Sequence, residues 1–416
     1  MTLVRNHRPP LSGNKWFILL VALLVGACSP KVRTVPVATK PAAEKPVAKP
    51  EKAPEKPKPA EAKSSVVSLI LPLSLDKLAP GQSYSSADLK KANMSVEYYQ
   101  GFKLALDSVA TDGPNFKLQV YDSKDDAAIH SLGLNPQVKN GDLIVGPIFP
   151  EDIRLFAGMF NYSRKPIVSP LSPASPTLFN NQNLVTMTPP LEYHAKGAAT
   201  YIATKLKPKK VYILNSGFSD EKLYTVPFKR TIDSLSKRKI QVVNFTVVRG
   251  DLTPLVAQLN NKEQSVFLVP STKQAFLMVT LKSLDTLSRR FPVTVFGHPN
   301  WEKFAFLKAN LLQRLKTHIT STDKVDYKSP EANAFIRLYR RVYRTDPTDF
   351  AIKGFDEGLY FGQLLARDDD SYRRVEQNDF TGLHNSFHFE KKPGQGWINT
   401  HVDILRYENF ELKPVQ

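Results

Sequence analysis

Short apolar runs alternate with stretches of helical period from residue 66 almost to the end, and this alternation limits the fold class most. Val66–Ser74 (VVSLILPLS) is a continuous apolar run of strand length. Met94–Ala110 then puts Met94, Tyr98, Phe102, Ala105, Leu106 and Val109 on one helical face. Phe116–Asp122 alternates, with Leu118 and Val120 on one side. Asp142–Val145 predicts a strand ending at Gly146-Pro147, 151–161 a helix, and Pro166–Ser169 a strand. A helix at about 192–206 opens a second series: Lys210–Leu214, a helix at 221–237, Ile240–Val248, Ser265–Pro270, a helix at 272–287 and Val293–Phe296. Two more helices are predicted at 331–343 and 350–366, the second with Ala351, Phe355, Leu359, Gly362 and Ala366 on one face. Strand-like pieces at Ser386–Glu390 and Thr400–Tyr407 flank Lys392-Pro393-Gly394-Gln395-Gly396, a hairpin-like turn. Strands separated by helices form right-handed units around a parallel sheet. Two such series predict two α/β lobes.

The first 65 residues cannot join either lobe. Residues 1–27 carry Arg5, Arg8 and Lys15, then an apolar run from Trp16 to Val25, then Gly26-Ala27, the pattern of a secretory signal peptide. Ten apolar residues are too few to span a bilayer core of about 30 Å as a helix. Cys28, the single cysteine of the 416 residues, follows immediately, so no intramolecular disulfide and no cysteine-built metal site can form. Ser29–Ser65 holds eight prolines, no aromatic residue, nine Lys/Arg and four Glu. Such a segment cannot bury a core, and as polyproline II it would reach roughly 115 Å at ~3.1 Å per residue. It reads as a semi-rigid spacer. Of the net +18, +3 lies in 1–27 and +5 in 29–65, which leaves +10 on 66–416. A mildly basic body of that size is no nucleic-acid signature.

Two resemblances sharpen these readings. Val25-Gly26-Ala27-Cys28 closely resembles the bacterial lipobox, which implies that Cys28 is lipid-modified and becomes the mature N-terminus, anchored to a membrane by lipid. Ser29 in place of an aspartate implies, by analogy with Gram-negative sorting, the outer rather than the inner membrane, facing the periplasm. In the body, YYQGFKLALD within Met94–Ala110, Leu143-Ile144-Val145-Gly146-Pro147, the Pro166–Ser172 segment PIVSPLS, and Phe350–Gly362 with Asp356 resemble type I periplasmic binding proteins of the leucine-binding kind. The resemblance covers about 66–416 and implies two Rossmann-like lobes joined by three crossings, with a ligand in the cleft and Asp356 at the hinge. The expected division is 1–27 signal peptide, 28–65 lipidated cysteine and tether, and 66–416 body. Lobe 1 is expected over about 66–190 and 320–380, lobe 2 over about 191–319 and 381–416.

Ligands of open α/β sheets sit beyond the carboxyl ends of the strands, so the loops there supply the candidates. In the first lobe these are Phe149, Ser169, Ser172 and Ser175; in the second, Asn215, Phe218, Ser271, Thr272, His298 and Asn300. Amino-acid-binding members offer a hydroxyl after the third strand, whereas this chain has Gly146-Pro147-Ile148-Phe149-Pro150, which is apolar and whose prolines lack an N–H donor. Phe296–Asn300 also lacks the carboxylate that pairs with a ligand ammonium. The plainer roles are turn-capping for Ser169 and Ser172 and interlobe packing for Phe149 and Phe218. If Phe149, Pro150 and Phe218 pack together, they fill the cleft. Arg337, Arg340, Arg341 and Arg344 share one broad helical face, a solvated face or a dock for an acidic partner. Asp368-Asp369-Asp370 lacks the glycine and glutamate of a calcium loop.

The sequence contains no G-x-S-x-G, H-E-x-x-H, P-loop or G-x-G-x-x-G element, and its eight histidines are dispersed. No enzyme, metal or cofactor is expected. Two readings follow. One is a lipid-anchored solute-binding protein that holds a small molecule between its lobes, for separate transporter subunits or for sensing. The other is an interaction module of the same fold that regulates an envelope enzyme. Outer-membrane lipoproteins that activate peptidoglycan synthases share this plan, although this chain lacks the helical-repeat domain some of them carry.

Overall fold

The computed structural model describes residues 64–77, 81, 83–161, 165–367 and 374–415. The signal peptide, Cys28, nearly all of the tether and Asp368–Asp370 lie outside the described residues. The first lobe contains β1 (Ser64–Leu71), α1 (Ser86–Ala110), β2 (Asn115–Asp122), α2 (Asp126–Leu134), α3 (Pro136–Asn140), β3 (Leu143–Val145), α4 (Pro150–Met159), β4 (Ile167–Ser169) and β5 (Leu184–Thr186). The chain then enters the second lobe with α5 (Leu191–Tyr201), β6 (Lys210–Asn215), α6 (Lys222–Leu235), β7 (Gln241–Thr246), α7 (Thr253–Val256), β8 (Ser265–Val269), α8 (Gln274–Ser288), β9 (Val293–Gly297), α9 (Ala309–Arg314) and β10 (His318–Ser321). It returns for α10 (Pro330–Tyr343), α11 (Asp349–Arg367), the small hairpin β11 (Phe380–Thr381) and β12 (Ser386–Phe387), β13 (Phe389–Lys392) and β14 (Gly396–Asn399). It ends in the second lobe with β15 (Asp403–Glu408) and β16 (Glu411–Pro414).

Each lobe is a seven-stranded sheet, ordered β13-β14-β5-β4-β3-β1-β2 and β16-β15-β10-β9-β8-β6-β7. Both are doubly wound, and in each the winding reverses beside the lobe's first strand, between β1 and β3 and between β6 and β8. The chain passes between lobes three times, at 187–190, 322–329 and 400–402. The expected division puts all of 381–416 in lobe 2. Hydrogen bonding instead puts 389–399 on the first sheet, where β14 runs parallel to β5, and only 403–414 on the second. The cause is the predicted turn at 392–396. It closes a β13–β14 hairpin against β5 before the last crossing, and β5 itself is too short to be legible in the sequence. The body also starts two residues inside the expected tether, because Ser64 and Ser65 pair with Asn115 and Phe116.

Strand alternation gives each sheet two apolar faces, both covered. Val67, Leu69, Leu71, Leu143, Val145, Val168 and Val185 face α1 and α11, while Ile70, Ile144, Ile167 and Leu184 face α2 to α4. The second sheet repeats this, with Tyr212, Leu214, Phe267 and Val295 on one side and Val211, Ile213, Val266 and Leu268 on the other. Each large apolar side chain so buried contributes about 1.5–3 kcal/mol. Helices α1 and α11 meet backbone to backbone. A side-chain carbon at Gly101 would collide with the Ala351 carbonyl, and one at Gly354 with the Tyr98 carbonyl. Ser85 caps α1 and Asp88 returns the bond, so this helix begins eight residues before the expected Met94. On α11, Ala366 is exposed rather than part of the expected stripe, because it lies at the very end of the helix beside exposed Arg367, past the last buried residue Leu365. Among the described residues no helix is long and apolar enough to cross a membrane.

Candidate functional site

The carboxyl ends of the first sheet carry mostly self-contained loops. Asp122 accepts N–H bonds from Leu73, Ser74 and Leu75 at 2.9, 3.0 and 2.9 Å, and so folds the β1 loop onto β2. Gly146 follows β3 with φ +99°, where a side-chain carbon would strike the Ile70 carbonyl. Phe149 precedes the first turn of α4, packs on the first core, and has the Lys91 ammonium 5.1 Å from its ring centre. Ser172 accepts from the Ala174 N–H at 3.2 Å. Ser175 donates to Glu192 Oε1 at 2.8 Å, which ties this loop to the start of α5 in the other lobe. Ser169 differs. Its hydroxyl is buried without a hydrogen-bond partner, as is that of Thr186, its register neighbour on β5.

The second sheet follows the same rule. Asn215 accepts from Thr246 Oγ1 at 2.9 Å, and Ser216 binds the buried Glu221 through both its N–H and its hydroxyl. Ser271 accepts from the Lys273 N–H at 3.3 Å, and its carbonyl accepts from Trp301 Nε1 at 2.9 Å. His298 Nδ1 accepts from the Asn300 N–H at 3.1 Å, so the imidazole caps its own turn. Thr272 is half-buried and Asn300 exposed. Phe218 is 57% exposed, with Lys273 5.2 Å from its ring centre. Among the described residues no ring contact joins Phe218 to Phe149: Phe149 packs on the first core and Phe218 stands exposed.

One group at these strand ends joins the candidate His298 to residues that carry no signal in the sequence. His194 on α5 shares a hydrogen bond with Thr320 Oγ1 on β10 at 2.8 Å, and the Tyr224 ring lies 6.0 Å from His298. Burial, then the neighbouring His298, lowers the His194 imidazole from 6.5 to about 4. Burial lowers His298 to about 4 as well, against the opposing pull of Asp220. Burial pushes the Tyr224 phenol up, against the opposing effect of Thr320. The group is therefore uncharged at neutral pH. It offers neither cation nor anion to a charged ligand. No periodicity could announce it, because His194 and Thr320 are 126 residues apart and β10 is too short to carry a pattern.

Asp356 is 1% exposed and binds 382–384: it accepts from the Leu383 N–H at 2.9 Å, from the His384 N–H at 2.8 Å, and contacts the His384 imidazole. The His384 carbonyl in turn accepts from Lys324 N at 3.0 Å, on the second crossing, and Lys353 pairs with Asp323 there at 2.8 Å. Of the arginine face, Arg340 pairs with Asp346 and Arg344 ends α10 in the left-handed conformation. Among the described residues no cluster of three or more His, Cys, Asp or Glu could hold a metal.

No family model and no curated protein sequence matches the chain. In structure it is similar to an ABC transporter substrate-binding protein from Desulfitobacterium hafniense in complex with Leu, at 15% identity and TM-score 0.54, covering 85% of this chain and 100% of that one. It is similar to a putative branched-chain amino acid ABC transporter from Rhodospirillum rubrum, at 11% identity and TM-score 0.60, with the same coverage of 85% and 100%. It is also similar to the LpoA (YraM) C-domain from Haemophilus influenzae, a regulator of PBP1A, at 12% identity and TM-score 0.55, again covering 85% and 100%. At such identities the likeness shows the fold, which is that of the type I periplasmic binding proteins. These neighbours are binding proteins and a regulator.

Proposed function

We propose that this protein is an interaction module of the cell envelope, held to a membrane by lipid on Cys28 and carried on its proline-rich spacer, and that it regulates an envelope enzyme such as a peptidoglycan synthase. One observation carries this reading: the strand-end loops of both lobes turn their polar groups onto themselves. Ser172, Asn215, Ser216, Ser271 and His298 all bond within their own loop or to the adjoining strand. The histidines there are neutral. A carrier of α-amino acids needs an anion for the ammonium and donors for the carboxylate at one spot. The Haemophilus influenzae LpoA C-domain supports the reading as a regulator that uses the same fold.

The second reading, a solute-binding protein serving a transporter or a sensor, is favoured by Ser169 and Thr186. Their buried hydroxyls, side by side at the carboxyl ends of β4 and β5, suit a small neutral solute better than a zwitterion. Asp356 acts in either reading as the hinge residue that holds the second crossing.

Thermal unfolding of the full chain with amino acids, short peptides, nucleosides, sugars and muropeptides decides between them, alongside capture of solubilised cell-wall synthases. The module reading expects a flat response to the library and retention of a synthase. A solute at ~100 times its dissociation constant would add about 2.7 kcal/mol and raise the midpoint by a few degrees. Such a shift, with no synthase retained, overturns the module reading.

A further inference from the structure

Arg230 on α6 stands on the wall of two adjoining grooves. The first, about 770 Å³, lies between α5 and the third crossing, and its walls include Tyr193, Lys196, Lys205, Arg230, His388 and His401. The second, about 660 Å³, continues along α6 past Lys229 to Arg238 and to Asn244 on the edge strand β7. Arg230 and Ser234 belong to both, so the two form one channel. Five cations line it against two carboxylates, Glu390 and Asp233. Both carboxylates already have partners: Asp233 pairs with Lys229 at 2.6 Å and Glu390 with Lys392 at 3.5 Å. Lys205, Arg230 and Arg238 make no ion pair among the described residues. The imidazoles of His388 and His401 lie 2.8 and 3.3 Å from Asp379 and Asp403.

The cations are crowded where the channel meets the crossing. The ammonium groups of Lys196 and Lys392 lie 4.1 and 5.0 Å from the centre of the same Tyr193 ring. Burial first, then Lys392, holds the Lys196 amine below its ordinary value. Between the cations the floor is apolar, formed by Tyr201, Leu235, Val402 and Ile404. The walls come from both lobes, because His388 and Glu390 lie at β13 on the first sheet while α5 and α6 belong to the second.

We propose that this channel docks an extended, acidic peptide segment of a partner protein. Charge complementarity argues for acidic side chains, and the apolar floor flanked by cations argues for a peptide that carries apolar residues between them. A free inorganic anion would use the cations and leave the floor uncovered. An occupant touching both walls would also bias how the lobes are set, since any difference in affinity between two arrangements shifts their populations. The inference rests on the interaction-module reading for the kind of partner, and its test reads the channel alone.

The test is fluorescence anisotropy of the full chain with a labelled peptide of alternating Glu, Asp and Leu, and with its Gln/Asn counterpart. Binding of the acidic peptide should weaken strongly from low to physiological salt. The Lys196→Glu/Arg230→Glu double variant should lose roughly tenfold or more in affinity, and Lys205→Glu/Arg238→Glu should lose a similar amount. Lys117→Glu, on the exposed edge strand β2 of the other lobe, should bind as the native chain does. Unchanged affinity in both double variants overturns the proposal. So does equal binding of the Gln/Asn peptide, or an equal loss in Lys117→Glu. Displacement of the peptide by millimolar inorganic phosphate reassigns the channel to a small anion and overturns the peptide. A solute found for the cleft would sink the module reading and leave this result standing.

Discussion

The Tyr98 hydroxyl donates to Glu357 Oε2 at 2.7 Å, inside the seam where α1 and α11 touch. Both side chains are buried, so the carboxyl has almost no water to stabilise its charge. Burial raises Glu357 well above the ordinary carboxyl value, against the opposing effect of the Tyr98 bond. The folded chain therefore keeps this proton to a higher pH than the unfolded chain does. The stability from this group is fully present below the unfolded carboxyl value of about 4.3 and is lost as pH rises toward the folded value. Glu357→Gln keeps an acceptor for Tyr98 and removes the ionisation. The variant should gain on the native chain with rising pH, by up to about 1.4 kcal/mol per pH unit. Urea unfolding at several values between pH 5 and 8 measures this, and parallel curves would show that Glu357 ionises normally.

Asp356, on the same helix, gives a prediction of the opposite kind. Its carboxylate serves the N–H groups of Leu383 and His384 as well as the His384 ring. Asp356→Ala leaves those buried donors without an acceptor and should cost about 3 kcal/mol, and Asp356→Asn less. The fit is close enough that a side-chain carbon at Gly382 would strike the carboxylate, so Gly382→Ala should also destabilise. Chemical denaturation gives the magnitudes. Faster hydrogen exchange at Leu383 and His384, and at Lys324 whose N–H bonds the His384 carbonyl, would place the damage at the turn that holds the second crossing, whereas a uniform increase would argue against a hinge role.

Acid should weaken the second lobe. Burial lowers His194, His298 and His318 from 6.5 to about 4 each. Below 6.5 the unfolded chain takes up protons that the folded chain refuses. Stability is thus present above 6.5 and lost as pH falls through 6.5 toward 4, by about 1 kcal/mol per imidazole at pH 5.5. His298→Asn retains a capping side chain for the Asn300 N–H and removes one titrating group. Its unfolding midpoint should fall less between pH 7.5 and 5.5 than that of the native chain. An equal fall would show that His298 protonates in the folded state.

The two-lobed fold is legible in the sequence because its long elements carry strong periods. Val66–Ser74, Met94–Ala110 and Phe350–Ala366 need only local pattern, and β1, α1 and α11 lie there. The three-residue β5 and the four-residue β10 are not legible, since so short a run carries no period. Without β5 the strand on which the 389–399 hairpin rests stays hidden, and without β10 so does the partner of His194. The candidate loops can be found because strand ends are predictable. Whether their hydroxyls face inward cannot, because that depends on partners supplied by other elements, such as Glu192 for the Ser175 hydroxyl.

Ser169 offers the sharpest separation of the two functional readings. Its hydroxyl is buried at the end of β4 with no partner, beside the equally unpartnered Thr186. A buried hydroxyl without a hydrogen bond is a net cost to folding. Ser169→Ala removes it with little change in volume and should stabilise the chain by about 1 kcal/mol, and Thr186→Val should act in the same direction. If the protein is an interaction module, retention of its envelope partner is untouched by either change. If it carries a neutral solute on these hydroxyls, the ligand-induced rise in unfolding midpoint shrinks in both variants while the unliganded midpoint rises. Thermal unfolding of the two variants, with and without any solute that shifts the native chain, distinguishes these outcomes. A drop in the unliganded midpoint of Ser169→Ala would show instead that the hydroxyl has a stabilising partner, and would remove the ground for the solute reading.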